Sequence, residues 1–194
     1  MRLKPWLAAA ALCALAGCAQ IVKVEPGQVT VKDTLTLKAD IAWNRFELQF
    51  PLSVAPGASE VWTQDGITLD ALAFFVGVEQ GKTLGTAIGG KKLPVFRSTM
   101  TPGEIVELYE QMVTQDGSAF ALKRVAPGRF GGQPGFRFEH TITRKSDGVL
   151  LKGMAQGAVV KDKLYLVAFT APAIYYYDRH LPQVEPLLAS AQIK

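Results

Sequence analysis

Residues 28–38 (QVTVKDTLTLK) alternate apolar and polar positions on either side of Lys32-Asp33, which predicts a hairpin of two short strands. Residues 41–50 (IAWNRFELQF) are strand-like but irregular, and Pro51, Pro56 and Gly57 mark a loop. Residues 60–63 and 69–78 predict a second strand pair, joined at Asp65-Gly66, a dipeptide suited to tight turns. The longer member is apolar almost throughout, as a strand covered on both faces must be. Residues 79–97 read as loop. A helix is predicted over 101–115: Thr101 caps it, Pro102 takes the first turn, and Glu104 completes a capping box. Ile105, Leu108, Tyr109, Met112 and Val113 follow at helical spacing, and Asp116-Gly117 ends the run. A strand over 120–126 precedes a glycine-rich loop at 129–135 (RFGGQPG). Residues 136–145 alternate cleanly, with Phe136, Phe138, His140 and Ile142 on one face. Turns at Asp147-Gly148 and Lys161-Asp162 lead into strands over 149–160 and 164–171, and Pro172 stops the last. A final helix over 178–191 lines up Leu181, Val184, Leu188 and Ala191. Three long antiparallel strands with helices before and after predict an α+β domain, an antiparallel sheet flanked by helices in an α/β/α sandwich.

Ahead of that domain the pattern changes. Arg2 and Lys4 precede a short apolar run, Leu7 to Leu15, far below the ~20 residues that span a bilayer. Small residues and a cysteine follow: Leu15-Ala16-Gly17-Cys18. This stretch resembles the lipobox of bacterial lipoproteins, in which the cysteine is lipidated and becomes the mature N-terminus. The resemblance implies a signal peptide over 1–17, lipidation of Cys18, a short tether through residue 27 and one domain over 28–194. Two or more acyl chains anchor a protein stably without a spanning helix. Ala19 stands where enterobacterial lipoproteins retained at the inner membrane usually carry Asp. That resemblance implies the outer membrane, with the domain on its periplasmic face.

The leader changes what composition says. Losing Arg2 and Lys4 lowers the formal net charge from +4 to about +2, which makes nucleic acid a poor partner. With Cys13 removed and Cys18 lipidated, the domain has no thiol for catalysis, metal binding or a disulfide. His140 and His180 are its only histidines, too few for a histidine-rich metal centre, and no cofactor is expected.

Candidate chemistry is sparse. Gly77-Val-Glu-Gln-Gly81-Lys82-Thr83 places three residues, not four, ahead of Gly-Lys-Thr, so it is not a phosphate-binding P-loop. His140 lies on an apolar strand face beside Phe138 and reads as a hydrogen-bonded core residue. His180 has no nucleophile nominated beside it. Tyr175, Tyr176 and Tyr177 cannot all face one way. They either plug the gap between the last strand and helix or expose a ring that stacks on a glycan or partner. Charge is segregated. Lys82, Lys91, Lys92 and Arg97 stand without an acid in residues 82–97, and residues 123–145, with Arg129 among them, carry six basic residues against Glu139 alone. Such patches suit anionic head groups, an anionic envelope ligand or an acidic protein.

The capped helix, the strands over 136–145, 149–160 and 164–171 and the terminal helix together resemble the Mog1/PsbP-like fold. Residues 43–45 (Trp-Asn-Arg), 62–66 (Trp-Thr-Gln-Asp-Gly) and 164–169 (Leu-Tyr-Leu-Val-Ala-Phe) are also similar to stretches of uncharacterised bacterial envelope lipoproteins. The resemblance implies a non-catalytic adaptor, with no family catalytic residue to transfer. The expected function is an outer-membrane lipoprotein presenting a binding domain to an envelope protein. A small-ligand or lipid-binding module is the alternative. A hydrolase would need a pocket that converges on His140 or His180.

Overall fold

Residues 21–46, 55 and 57–194 are described in the computed structural model of the chain. The leader, Cys18, Pro51, Pro56 and the end of the strand expected over 41–50 lie outside the described residues. Part of the expected tether is instead structured: β1 (Ile21–Val24) is a strand, and its Val24 is buried. The hairpin forms as β2 (Gly27–Val31) and β3 (Leu35–Ala39). Lys32 and Asp33 take φ of 48° and 58°, both left-handed, within a three-residue connection, since Val31 pairs with Leu35. β4 (Trp43–Phe46) then returns antiparallel to β1.

β5 (Glu60–Thr63) and β6 (Ala71–Glu79) pair as expected, but across a longer turn that Asp70 organises. Its carboxylate accepts Thr63 Oγ1 at 2.7 Å, Gln64 N at 2.6 Å and Asp65 N at 2.8 Å. α1 (Pro102–Val113) begins with the predicted capping box, Thr101 and Glu104 each bonding the other's backbone N–H.

β7 (Ala119–Phe130) and β8 (Gln133–Thr143) correct the glycine-rich loop expected over 129–135. The strands run through it, and only Gly131 and Gly132 turn, at φ of 61° and 79°. β9 (Leu150–Val160) and β10 (Lys163–Pro172) complete the meander, with Lys161 and Asp162 in the same left-handed turn geometry as Lys32 and Asp33. α2 (Tyr176–Ala189) starts two residues before the predicted helix and holds Pro182 and Pro186 within it. β11 (Gln192–Ile193) closes the chain against β3.

The main sheet has eight strands in the order β1-β4-β5-β6-β10-β9-β8-β7, all antiparallel. A smaller sheet, β11-β3-β2, joins α2 on one face. Strand alternation divides the core. Trp43, Trp62, Phe74 and Phe169 meet Val184, Leu187 and Leu188 of α2 and Leu35 and Leu37 of β3. On the other face Phe75, Phe138 and Leu166 meet Ile105, Leu108, Tyr109 and Met112 of α1, with Leu84 and Phe96 beside them. Adjacent Phe74 and Phe75 thus serve opposite layers, which explains the apolar run of β6. Each such fully buried side chain contributes about 1.5–3 kcal/mol.

Candidate functional site: an arginine-rimmed cleft at the sheet edge

β7 ends the main sheet, and most of its side chains are exposed. Its register with β8 sets Arg124 opposite Glu139, Ala126 opposite Arg137 and Gly128 opposite Gly135. These positions share the α2 side of the sheet with Gln156, which pairs with Arg137 from β9. Ala126 and Gly128 are too small to fill the space between their neighbours. The result is an open cleft of about 410 Å³ lined on this face by Arg124, Arg137, Glu139 and Gln156; Arg129 also lines it, from a position that alternates to the opposite face. Close strand approach shapes it, since a Cβ on Gly135 would collide with the Gly157 carbonyl oxygen.

The three guanidiniums differ in commitment. Arg137 is held in place, donating to Glu185 of α2 at 3.0 Å and to Glu139 at 3.2 Å. Arg129 donates to the Gly132 carbonyl at 2.6 Å. The Arg124 guanidinium has no hydrogen-bond or ion-pair partner among the described residues. Planar guanidinium forks match carboxylate and phosphate oxygens, so this arrangement suits an anionic group. Arg129 was a candidate on charge alone. Arg124 and Arg137 were legible only as part of the basic run, because cross-strand register brings them together.

The other basic candidates lie elsewhere. Lys82, Lys91, Lys92 and Arg97 are exposed in the segment between β6 and α1, and that segment packs on the α1 side of the sheet. Arg97 reaches Glu104 at 3.4 Å and Lys91 donates to the Gln115 carbonyl at 2.6 Å, at opposite ends of α1. They are not assembled with Arg129.

The tyrosine run divides three ways. Tyr177 is buried and stacks on Phe169, with centroids 5.4 Å apart. Tyr176 is half-buried beside His180. Tyr175 is 63% exposed, with the Arg179 guanidinium 5.4 Å from its ring centroid. Its φ of 80° and ψ of −59°, with Tyr176 N donating to the Ile174 carbonyl at 3.1 Å, form a strained γ-turn.

Neither histidine lines this cleft. His140 is buried among Tyr109, Phe120 and Phe138, with Phe120 stacked on it at 5.0 Å. It is a core residue, as expected, but not a hydrogen-bonded one: neither ring nitrogen has a partner among the described residues. Burial alone pushes its pKa down to about 3. His180 is buried against Asp65, Nε2 to Oδ2 at 2.9 Å, and Arg179 donates to the same oxygen at 3.1 Å. Sequence reasoning missed this pair, and the only signal for it was the turn dipeptide at Asp65. Asp65, Asp70 and His180 bring three possible metal ligands within 4.8 Å of one another. Asp70 is already committed to Thr63 and two backbone N–H groups, and Asp65 to Arg179. The group is better read as a clasp holding the β5–β6 turn to α2. A second cavity, about 290 Å³, opens beside Tyr109, Val113, Ile142, Leu151 and Thr170.

Eight antiparallel strands with one helix on each face match known structures. The solution structure of cyanobacterial PsbP (CyanoP) from Synechocystis sp. PCC 6803 superposes with a TM-score of 0.57 at 15% identity, over 94% of this chain and 97% of that one. The fold is PsbP-like. LpqN, involved in cell envelope biogenesis of Mycobacterium tuberculosis, is a more distant match, with a TM-score of 0.41 and 10% identity over 93% of this chain and 87% of that one. By sequence, the chain matches no protein-family model and no curated protein. The PsbP-like scaffold thus accounts for the layers, while the cleft has to be argued from its own residues.

Proposed function

We propose that this chain is a non-catalytic adaptor, lipid-anchored through Cys18 at the outer membrane, that presents its PsbP-like domain to an acidic envelope protein. The observation that carries the binding role is the cleft: Arg124 and Arg137 share one hollow, and Arg124 has no counter-ion among the described residues. A buried ring packed against phenylalanines and a buried α2 histidine clasped by Asp65 favour binding over hydrolysis. The membrane role rests on Leu15-Ala16-Gly17-Cys18.

Two measurements test this. Metabolic labelling with a radioactive fatty acid should mark the wild-type protein and not Cys18→Ala, which should also leave the membrane fraction. A photo-crosslinking residue at position 124 should capture an acidic envelope protein in cells, and one at exposed Lys92 should not. Unlabelled wild type would refute the anchor, and equal capture from both positions would refute the cleft. The second cavity, with its largely apolar walls at Val113, Ile142 and Leu151, favours the small-ligand alternative. Co-purification of a lipid that Ile142→Trp abolishes would establish it.

A further inference from the structure

β7 is an unpaired sheet edge. Among the described residues β8 is its only strand neighbour, and residues 121–125 are all exposed. An edge of this kind offers a row of backbone N–H and C=O groups to any extended chain, including a second copy of itself. Here the edge carries Lys123 at a bulge, where the register steps between Leu122 and Arg124, then Arg124 and Pro127. Two copies meeting edge to edge would bring these cations against their own counterparts, which disfavours self-pairing. The same charges favour an acidic strand.

The register also specifies a pattern. Leu122 and Val125 lie opposite His140 and Phe138, on the α1 side, and are 44% and 42% exposed. Arg124 and Ala126 lie opposite Glu139 and Arg137, on the cleft side. A strand laid beside β7 would set alternate side chains against these two rows. Apolar residues would cover Leu122 and Val125, and carboxylates would reach Arg124 and the cleft.

We propose that β7 accepts an extended, alternately acidic and apolar segment of the partner protein as a ninth strand of the sheet. This rests on the adaptor reading and adds its mode of docking. Pro127 cannot donate a ladder hydrogen bond, so pairing runs along the stretch before it, residues 119–126.

The test uses the full-length protein in detergent and a synthetic peptide of about eight residues, a common strand length, alternating Val and Glu. Fluorescence anisotropy should show salt-sensitive binding, and amide hydrogen exchange should slow within residues 119–126. N-methylating alternate peptide nitrogens, which keeps the charges but removes the donors, should weaken binding about tenfold or more, as should Arg124→Glu. Circular dichroism checks that Arg124→Glu remains folded. Equal affinity for the methylated peptide would overturn strand addition, as would binding indifferent to Arg124→Glu. So would concentration-dependent dimerisation through β7, or inorganic phosphate binding the cleft while the peptide does not. If the peptide fails while crosslinking at position 124 still captures an acidic envelope protein, only the docking mode is wrong. If that capture fails too, the adaptor reading falls with it.

Discussion

His140 makes the stability of this protein depend on pH in a way that one substitution should erase. Its ring is neutral in the fold because burial among Tyr109, Phe120 and Phe138 lowers its pKa to about 3, with no partner for either nitrogen among the described residues. In the unfolded chain the ring is solvated and titrates near 6.5. Between those values the unfolded state binds more protons, so stability must fall as pH falls. The cost is about 0.2 kcal/mol at pH 7 and about 2 kcal/mol at pH 5, because only the unfolded state gains the proton. His140→Leu removes the titration. It also loses ring stacking of about 0.5–1.5 kcal/mol per pair and relieves a buried unpaired polar group, but both effects are the same at every pH. Urea unfolding of both proteins at pH 5, 6 and 7 isolates the titrating part, since every other group is common to the two. The variant should gain about 2 kcal/mol on wild type between pH 7 and pH 5. Parallel stability curves would mean that the folded ring holds its proton, and would refute the claim that it lies unpaired in an apolar layer.

Two further outcomes follow from close contacts and from the turn. Gly135→Ala should lower stability by roughly 1–3 kcal/mol, because the new Cβ would strike the Gly157 carbonyl, whereas Gly128→Ala, whose Cβ meets nothing nearer than 3.9 Å, should stay within about 0.5 kcal/mol. Thermal melts of the pair, one glycine on each strand of the same hairpin, check this. Asp70→Ala leaves Gln64 N, Asp65 N and the Thr63 hydroxyl without their acceptor and should cost roughly 2–4 kcal/mol in chemical denaturation. The same variant should speed amide exchange in the β5–β6 turn and at the start of α2, which Asp65 ties to that turn through His180.

Local signals carried much of the fold. Lys32-Asp33 and Lys161-Asp162 turn the chain as their sequences suggest, and Thr101 and Glu104 cap the helix they announce. The glycines of residues 129–135 misled because composition alone cannot separate two uses of glycine. Gly131 and Gly132 do supply a turn, but Gly135 is needed where two backbones meet, inside the first part of β8. Nor does alternation within β6 reveal its neighbours, since β10 lies beside it only through a pairing across about half the chain. The site was hidden for the same reason. Arg124, Arg137 and Gln156 sit on three strands and become one surface only once register is set, and Asp65 and His180 are 115 residues apart.

The sheet order has one more consequence. β1 and β7 are the two outermost strands, so seven inter-strand steps of ~4.8 Å separate them by about 30 Å, somewhat less with twist. If Cys18 carries the proposed lipid, the sheet would be a beam with its fixed end near β1 and its free end at Arg124. That reach exceeds the physiological screening length of about 8 Å several times over. With such a beam standing away from the bilayer, head groups at the fixed end would exert no pull on the cleft, and a partner at the free end would be bound or released without disturbing the anchor.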